Sequence, residues 1–181
     1  DENTQKRILT NFNFAREELI GDNYALAFKQ ITEIIVKAMS PAINDPGTAI
    51  NGIDYLTELF ALRIRKKEIS VLGREGRAYV KFNTISFKEL IYGVMAPIRA
   101  YCKHDVILVK RLMLMFLHLK KIPAANENFT GIIQEEAECL LKDAMEAIKN
   151  SRDLEQIYFL AEKMECKKQL LSSLKTGISN F

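Results

Sequence analysis

With 181 residues, 48% of them hydrophobic and none of them tryptophan, the chain is long enough for one well-buried core and too apolar to be a disordered tail. Its 26 basic and 23 acidic residues leave a formal charge of +3, too balanced to argue for nucleic acid, and no aromatic-basic interleaving of the single-strand-binding kind is present. Cys102, Cys139 and Cys166 are odd in number and far apart, which argues against a disulfide framework and against paired metal ligands.

In chain order, Thr4 to Phe14 has weak helical periodicity and predicts a short packed helix through Ile8, Leu9 and Phe12. Asp22 reads as the N-cap of the first strong helix, whose apolar face is Tyr24, Ala27, Phe28, Ile31, Ile34, Ile35 and Ala38. Pro41 disfavours helical geometry at Ser40, so that helix ends there. Asp45-Pro46 opens the next one, as cap and first helical position. Its stripe runs Ala49, Ile53, Leu56, Phe60 and Ile64, and the basic run Arg63 to Lys67 ends it.

The strand signal follows. Ile69 to Leu72 and Arg77 to Phe82 flank Gly73-Arg74-Glu75-Gly76, a small hairpin that must lean on the helices because a lone hairpin is marginal. Ser86 and Glu89 form a capping box, opening a helix with Phe87, Leu90, Ile91, Val94, Met95, Ile98 and Tyr101 on its apolar face and a kink expected at Pro97. Asp105 caps a helix that is apolar nearly all round over Val106 to Val109 and Leu112 to Leu117, which marks it as central and buried, and Pro123 stops it. After the polar break Asn126-Glu127-Asn128 two helices remain. One carries Ile133, Ala137, Leu140, Leu141, Ala144 and Ile148. The other begins at Ser151 or Asp153, carries Leu154 to Leu174, and stops at Gly177. The expected fold is mainly α, a bundle of about six or seven helices with one small β-hairpin insert.

The stretch Ala38 to Ile50 stands apart: between Ala38 and Ile53 the sole charge is Asp45, in a chain that is 27% charged. A charge-poor linker with Pro41, Pro46, Gly47 and an Asn-Asp pair reads as a buried corner around which the helices pack. Its string Ala38-Met39-Ser40-Pro41-Ala42-Ile43-Asn44-Asp45-Pro46-Gly47-Thr48-Ala49 resembles the signature of a family of bacterial predicted membrane proteins, domain of unknown function 2254. Ile53-Asp54-Tyr55-Leu56, the Ser86-Phe87 helix start and Ile98-Arg99-Ala100-Tyr101 fit the same family, so the likeness covers the first two thirds of the chain. In one place it departs: where the family tends to have an Arg-Thr pair before the position of Asp22, this chain reads Arg16-Glu17-Glu18-Leu19. The resemblance implies transmembrane helices upstream, with residues 1–181 as one soluble C-terminal domain close to the membrane. It carries no assigned reaction and leaves the cofactor unknown.

No apolar run approaches the ~20 residues of a bilayer span and no signal peptide is visible, while the chain opens in mid-pattern at Asp1-Glu2-Asn3. Free cysteines point to the cytoplasmic side. The candidate ligand site is Ser40, Asn44, Asp45 and Thr48 with Asp22; capping explains each of the four corner residues, whereas a cation among carbonyl oxygens or an anion at the Pro46 helix start is the sharper alternative. His104 beside Asp105 and Arg99 offers an anion or proton-transfer site, more simply read as an exposed turn, and His118 complements a helix C-terminus. Asp22, Asp45 and Asp54 are the carboxylates available for acid–base work. The leading reading is a non-catalytic regulatory, assembly or ligand-sensing module whose partners are its own membrane segment and a second copy, without nucleic acid. The alternatives are an enzyme or metal-dependent site at the corner, or a channel or transporter gating domain.

Overall fold

The computed structural model of the chain describes residues 2–10, 20–21, 23–74, 77–81 and 83–179. Eight helices and one hairpin are present among them: α1 (Glu2–Leu9), α2 (Tyr24–Ala38), α3 (Pro46–Ile64), β1 (Val71–Arg74), β2 (Arg77–Lys81), α4 (Phe87–Cys102), α5 (Val106–Lys120), α6 (Asn128–Ala147), α7 (Ser151–Lys163) and α8 (Lys168–Ser179). This is the mainly α bundle with one hairpin that the periodicity predicts.

Helix starts follow the capping chemistry. Asn23 caps α2 by accepting the Ala25 N–H at 3.0 Å, one residue after the expected Asp22, which lies outside the described residues. Ser86 and Glu89 form the complete capping box of α4, and the Asp105 carboxylate takes the Ile107 and Leu108 N–H groups at the start of α5. Pro97 lies inside α4 without ending it.

The core is one cluster, with α5 packed against α3, α6 and α7, and α2 against α3 and α4. A line of rings runs through it: Phe28 to Phe60 at 4.7 Å, Phe60 to Phe87 at 6.1 Å and Phe87 to Phe129 at 4.4 Å between centroids. These rings join α2, α3, α4 and α6, and offset or edge-on pairs of this kind add to their area burial. Beside them the buried Arg63 guanidinium lies over Tyr24, Phe87 and Phe129. Charged ties cross the helix interfaces as well. Arg99 of α4 donates to Asp143 at 3.1 Å and to Glu136, both on α6, and Arg111 of α5 holds Asp54 of α3 through both nitrogens of its fork.

Several expectations give way. Leu9 of α1 and Ile34 of α2 are exposed rather than packed, and Phe12 lies outside the described residues. α5 is central but not buried all round, since Ile107, Leu114 and His118 line its outer side. The last predicted helix is two. α7 ends at Lys163 with Met164 as its C-cap, Glu165 takes a left-handed φ of 60°, and the Cys166 and Glu165 N–H groups return to the carbonyls of Ala161 and Glu162. That is a Schellman stop without the usual glycine. Gly177 lies inside α8 instead of stopping a helix. Lys120 Nζ secures the corner by donating to the Met164 carbonyl at 3.0 Å and the Glu165 carboxylate at 2.7 Å. Finally, β1 and β2 pair antiparallel with each other, Val71 opposite Lys81, and among the described residues form no extensive contact with any helix. Among the described residues the exposed strands pair mainly with each other instead of leaning on the helices.

Candidate functional site

The corner between α2 and α3 is closed by its own backbone. The Met39 N–H returns to the Ile35 carbonyl, the Ile43 and Asn44 N–H groups share the Ser40 carbonyl at 3.0 Å each, and the Asp45 N–H reaches back to Ala38 at 2.8 Å. Asn44 takes a left-handed φ of 46°, a conformation asparagine tolerates better than most residues. With these groups paired internally the turn needs no burial. Residues 41–45 are exposed, so the expected buried corner is instead a surface turn flanked by the buried Met39 and Ala49.

Its polar side chains have ordinary tasks. The Ser40 hydroxyl donates to the Lys37 carbonyl at 2.8 Å, closing α2. Asp45 caps α3 by accepting the Thr48 N–H at 3.1 Å and the Thr48 hydroxyl at 2.5 Å. The Asn44 side-chain amide makes no hydrogen bond among the described residues. Asp45 and Thr48 are therefore brought together, Ser40 faces the other helix end, and Asp22 is outside the described residues. The remaining acids are committed elsewhere, Asp54 to Arg111 and Asp105 to its own helix start. Arg99, expected near His104, is taken by α6.

The capping bonds also set the titration. The Thr48 hydroxyl, then the Thr48 and Gly47 amides, hold the Asp45 carboxyl below its ordinary value, and Ser86 does the same for Glu89. Both groups are harder to protonate folded than unfolded. Their contribution is therefore complete above the unfolded value and is lost as the pH falls through the folded one. Asp45→Ala is expected to lower the melting temperature at neutral pH by roughly 2–4 °C. It should also make the acid limb of a melting-temperature profile shallower than wild type; an unchanged profile would remove Asp45 from the account. Cysteine chemistry finds no footing in the core, where burial pushes the Cys102 thiol up to about 12 and the Cys166 thiol up to about 11.

The feature with room for a ligand is a groove of about 560 Å³ between α2 and α4. Phe28, Leu90 and Val94 supply its apolar surface, and Lys29, Glu33 and Lys37, exposed and one helical turn apart along α2, supply its polar rim. It runs as far as Ser40, which links the corner to it, and Tyr101, expected in the core, is half-exposed at its wall. Two residues leave the space open. Gly93 has nothing within 4 Å of where a Cβ would stand. Pro97 lacks the N–H that would meet the Gly93 carbonyl, so that acceptor loses its helical partner in the groove wall. The sequence signal was Gly93 and Pro97 one turn apart in an amphipathic helix; read as periodicity, it shows a kink rather than a hollow.

The sequence profile of a family described as predicted membrane protein, domain of unknown function 2254, matches residues 1–118. The chain belongs to that family. No curated protein and no solved structure matches it. The family match covers the corner and both groove walls, and ends inside α5. Among the described residues no helix is long and apolar enough to cross a membrane.

Proposed function

We propose that the chain is the non-catalytic, ligand-sensing part of a membrane protein, and that its ligand lies in the groove between α2 and α4. The observation that supports this reading is a hollow of about 560 Å³, within the range of small-molecule sites, with an apolar floor and few polar groups at its edge. The Gly93 carbonyl and the Lys29–Glu33–Lys37 rim favour an apolar molecule that carries one hydrogen-bond donor, such as a medium-chain alcohol or amine. Ser40 sits at the groove's end on the last turn before the corner, so occupancy of the groove bears directly on how α2 meets α3. The corner itself acts as a staple. The proposed partner is the protein's own membrane-embedded segment.

Gly93→Leu provides the test, because it fills the groove from a position that touches nothing and replaces a helix-interior glycine, which stabilises by about 1 kcal/mol. Thermal unfolding is followed with a series of medium-chain alcohols and amines. The wild-type melting temperature should rise with probe concentration, as binding to the folded state requires. Gly93→Leu should melt at or above wild type and show no such rise. An equal rise in both proteins, or none in wild type, defeats the reading.

A further inference from the structure

Charge is not spread evenly along this chain. Residues 63–81 hold seven basic and two acidic side chains, a net +5 in a chain whose total is +3, so the rest of the chain carries −2. This segment is the end of α3, its following turn and the hairpin. The same segment exposes large apolar groups: Ile69, Leu72, Tyr79 and Val80 are each more than half exposed, Tyr79 at 68%. Consecutive strand residues point to opposite faces, so the pairs Val71–Leu72 and Tyr79–Val80 place apolar groups on both faces of a two-stranded sheet. Among the described residues no helix covers either face extensively. At the foot of the hairpin an apolar hollow of about 490 Å³ opens between α2 and α3, with Lys66 and Lys67 at its edge and Leu59, Leu62 and Ile85 in its wall.

An isolated hairpin with an apolar surface on both sides is marginal in water. It gains a medium that suits it at the boundary of a bilayer, where apolar side chains enter the acyl region and lysine and arginine meet anionic headgroups. We propose that the hairpin and the basic end of α3 form an arm that seats on an anionic lipid surface. Arg65, Lys66, Lys67, Arg77 and Lys81 would contact phosphates while Leu72, Tyr79 and Val80 enter between the lipids. Charge complementarity selects this partner over a neutral protein surface, and the interleaved aliphatic side chains select it over nucleic acid. This surface is separate from the α2–α4 groove.

The chain contains no tryptophan, so Tyr79→Trp places a unique reporter in the hairpin. With vesicles of phosphatidylcholine mixed with phosphatidylglycerol the reporter's emission should shift to the blue and the protein should float with the vesicles. Pure phosphatidylcholine should give neither, and high salt should weaken both. Lys66→Glu with Lys67→Glu should reduce vesicle binding at least about tenfold. Leu72→Ser with Val80→Ser should abolish the blue shift while circular dichroism shows the helices intact. Gly93→Leu, which blocks the groove, should bind vesicles like wild type, so the two proposals fail independently. Equal binding to neutral and anionic vesicles, or no binding to either, overturns the arm. Retention on duplex DNA with none on vesicles overturns it in favour of a nucleic-acid surface.

Discussion

Arg63→Ala is expected to cost about 3–5 kcal/mol, seen as a fall in urea midpoint at unchanged slope. Arg63 is 9% exposed, and its guanidinium lies 6.0, 5.9 and 5.6 Å from the ring centroids of Tyr24, Phe87 and Phe129. Its fork donates to the Tyr24 hydroxyl at 3.3 Å, the Lys66 carbonyl at 3.1 Å and the Glu68 carboxylate at 3.3 Å. The same Glu68 oxygen accepts the Phe87 N–H at the start of α4. One side chain thus joins α2, the end of α3, the start of α4 and the start of α6. Its removal leaves a cavity among the rings and takes the guanidinium from Glu68, which keeps the Phe87 N–H, and breaking a partly buried pair from one side is costly. Arg63→Lys should recover little, because an ammonium cannot reproduce three divergent donors in one plane. Arg63→Met should lose less than alanine because it still covers the rings. A loss below about 1 kcal/mol for alanine would show that the rings alone hold these helices.

Why the sequence concealed this residue is instructive. Arg63 opens the run Arg63-Ile64-Arg65-Lys66-Lys67, which reads as a solvated helix end. Its burial comes from Tyr24, Phe87 and Phe129, all remote in the chain, and no local pattern encodes that convergence. What was legible was local: the Ser86–Glu89 box, the Asp105 cap, the Asp45-Pro46 helix start and the helical stripes that became the core. Where local chemistry departed from its commonest form, the reading failed. The stop at Glu165 was missed because a glutamate takes the left-handed position usually held by glycine. The corner was expected to be buried because it is poor in charge, yet its backbone satisfies itself and leaves Ala42 and Ile43 in solvent. The groove depends on what Gly93 and Pro97 do not place between α2 and α4, and an empty space has no residue to announce it.

The second large effect concerns the approach of α2 to α3. Gly52 lies on α3 where it meets α2, and a Cβ there would stand 2.5 Å from Ile35 Cγ1 and 3.0 Å from its Cδ1. Ile35 is fully buried, and Cγ1 is the first atom of its branch, so it cannot swing clear without moving the backbone. Two terms oppose each other in Gly52→Ala: helix propensity favours alanine by about 1 kcal/mol, while overpacking of a tight core costs about 1–3 kcal/mol. The steric term should win for alanine. Gly52→Val, which adds two further methyl groups and a stiff β-branch, should lose about 3 kcal/mol. Ile35→Ala alone should cost about 2–4 kcal/mol as a cavity. In that background Gly52→Ala meets no Cγ1, so only the propensity gain remains and the substitution should turn neutral or stabilising. The change of sign is the measurement, a coupling energy read from the four unfolding midpoints. Gly52→Ala stabilising the wild type would show that α2 has slack against α3. A rigid contact has a functional corollary: α2 is also a wall of the α4 groove, so Gly52→Val should displace that wall and weaken the response to alcohol and amine probes in parallel with stability.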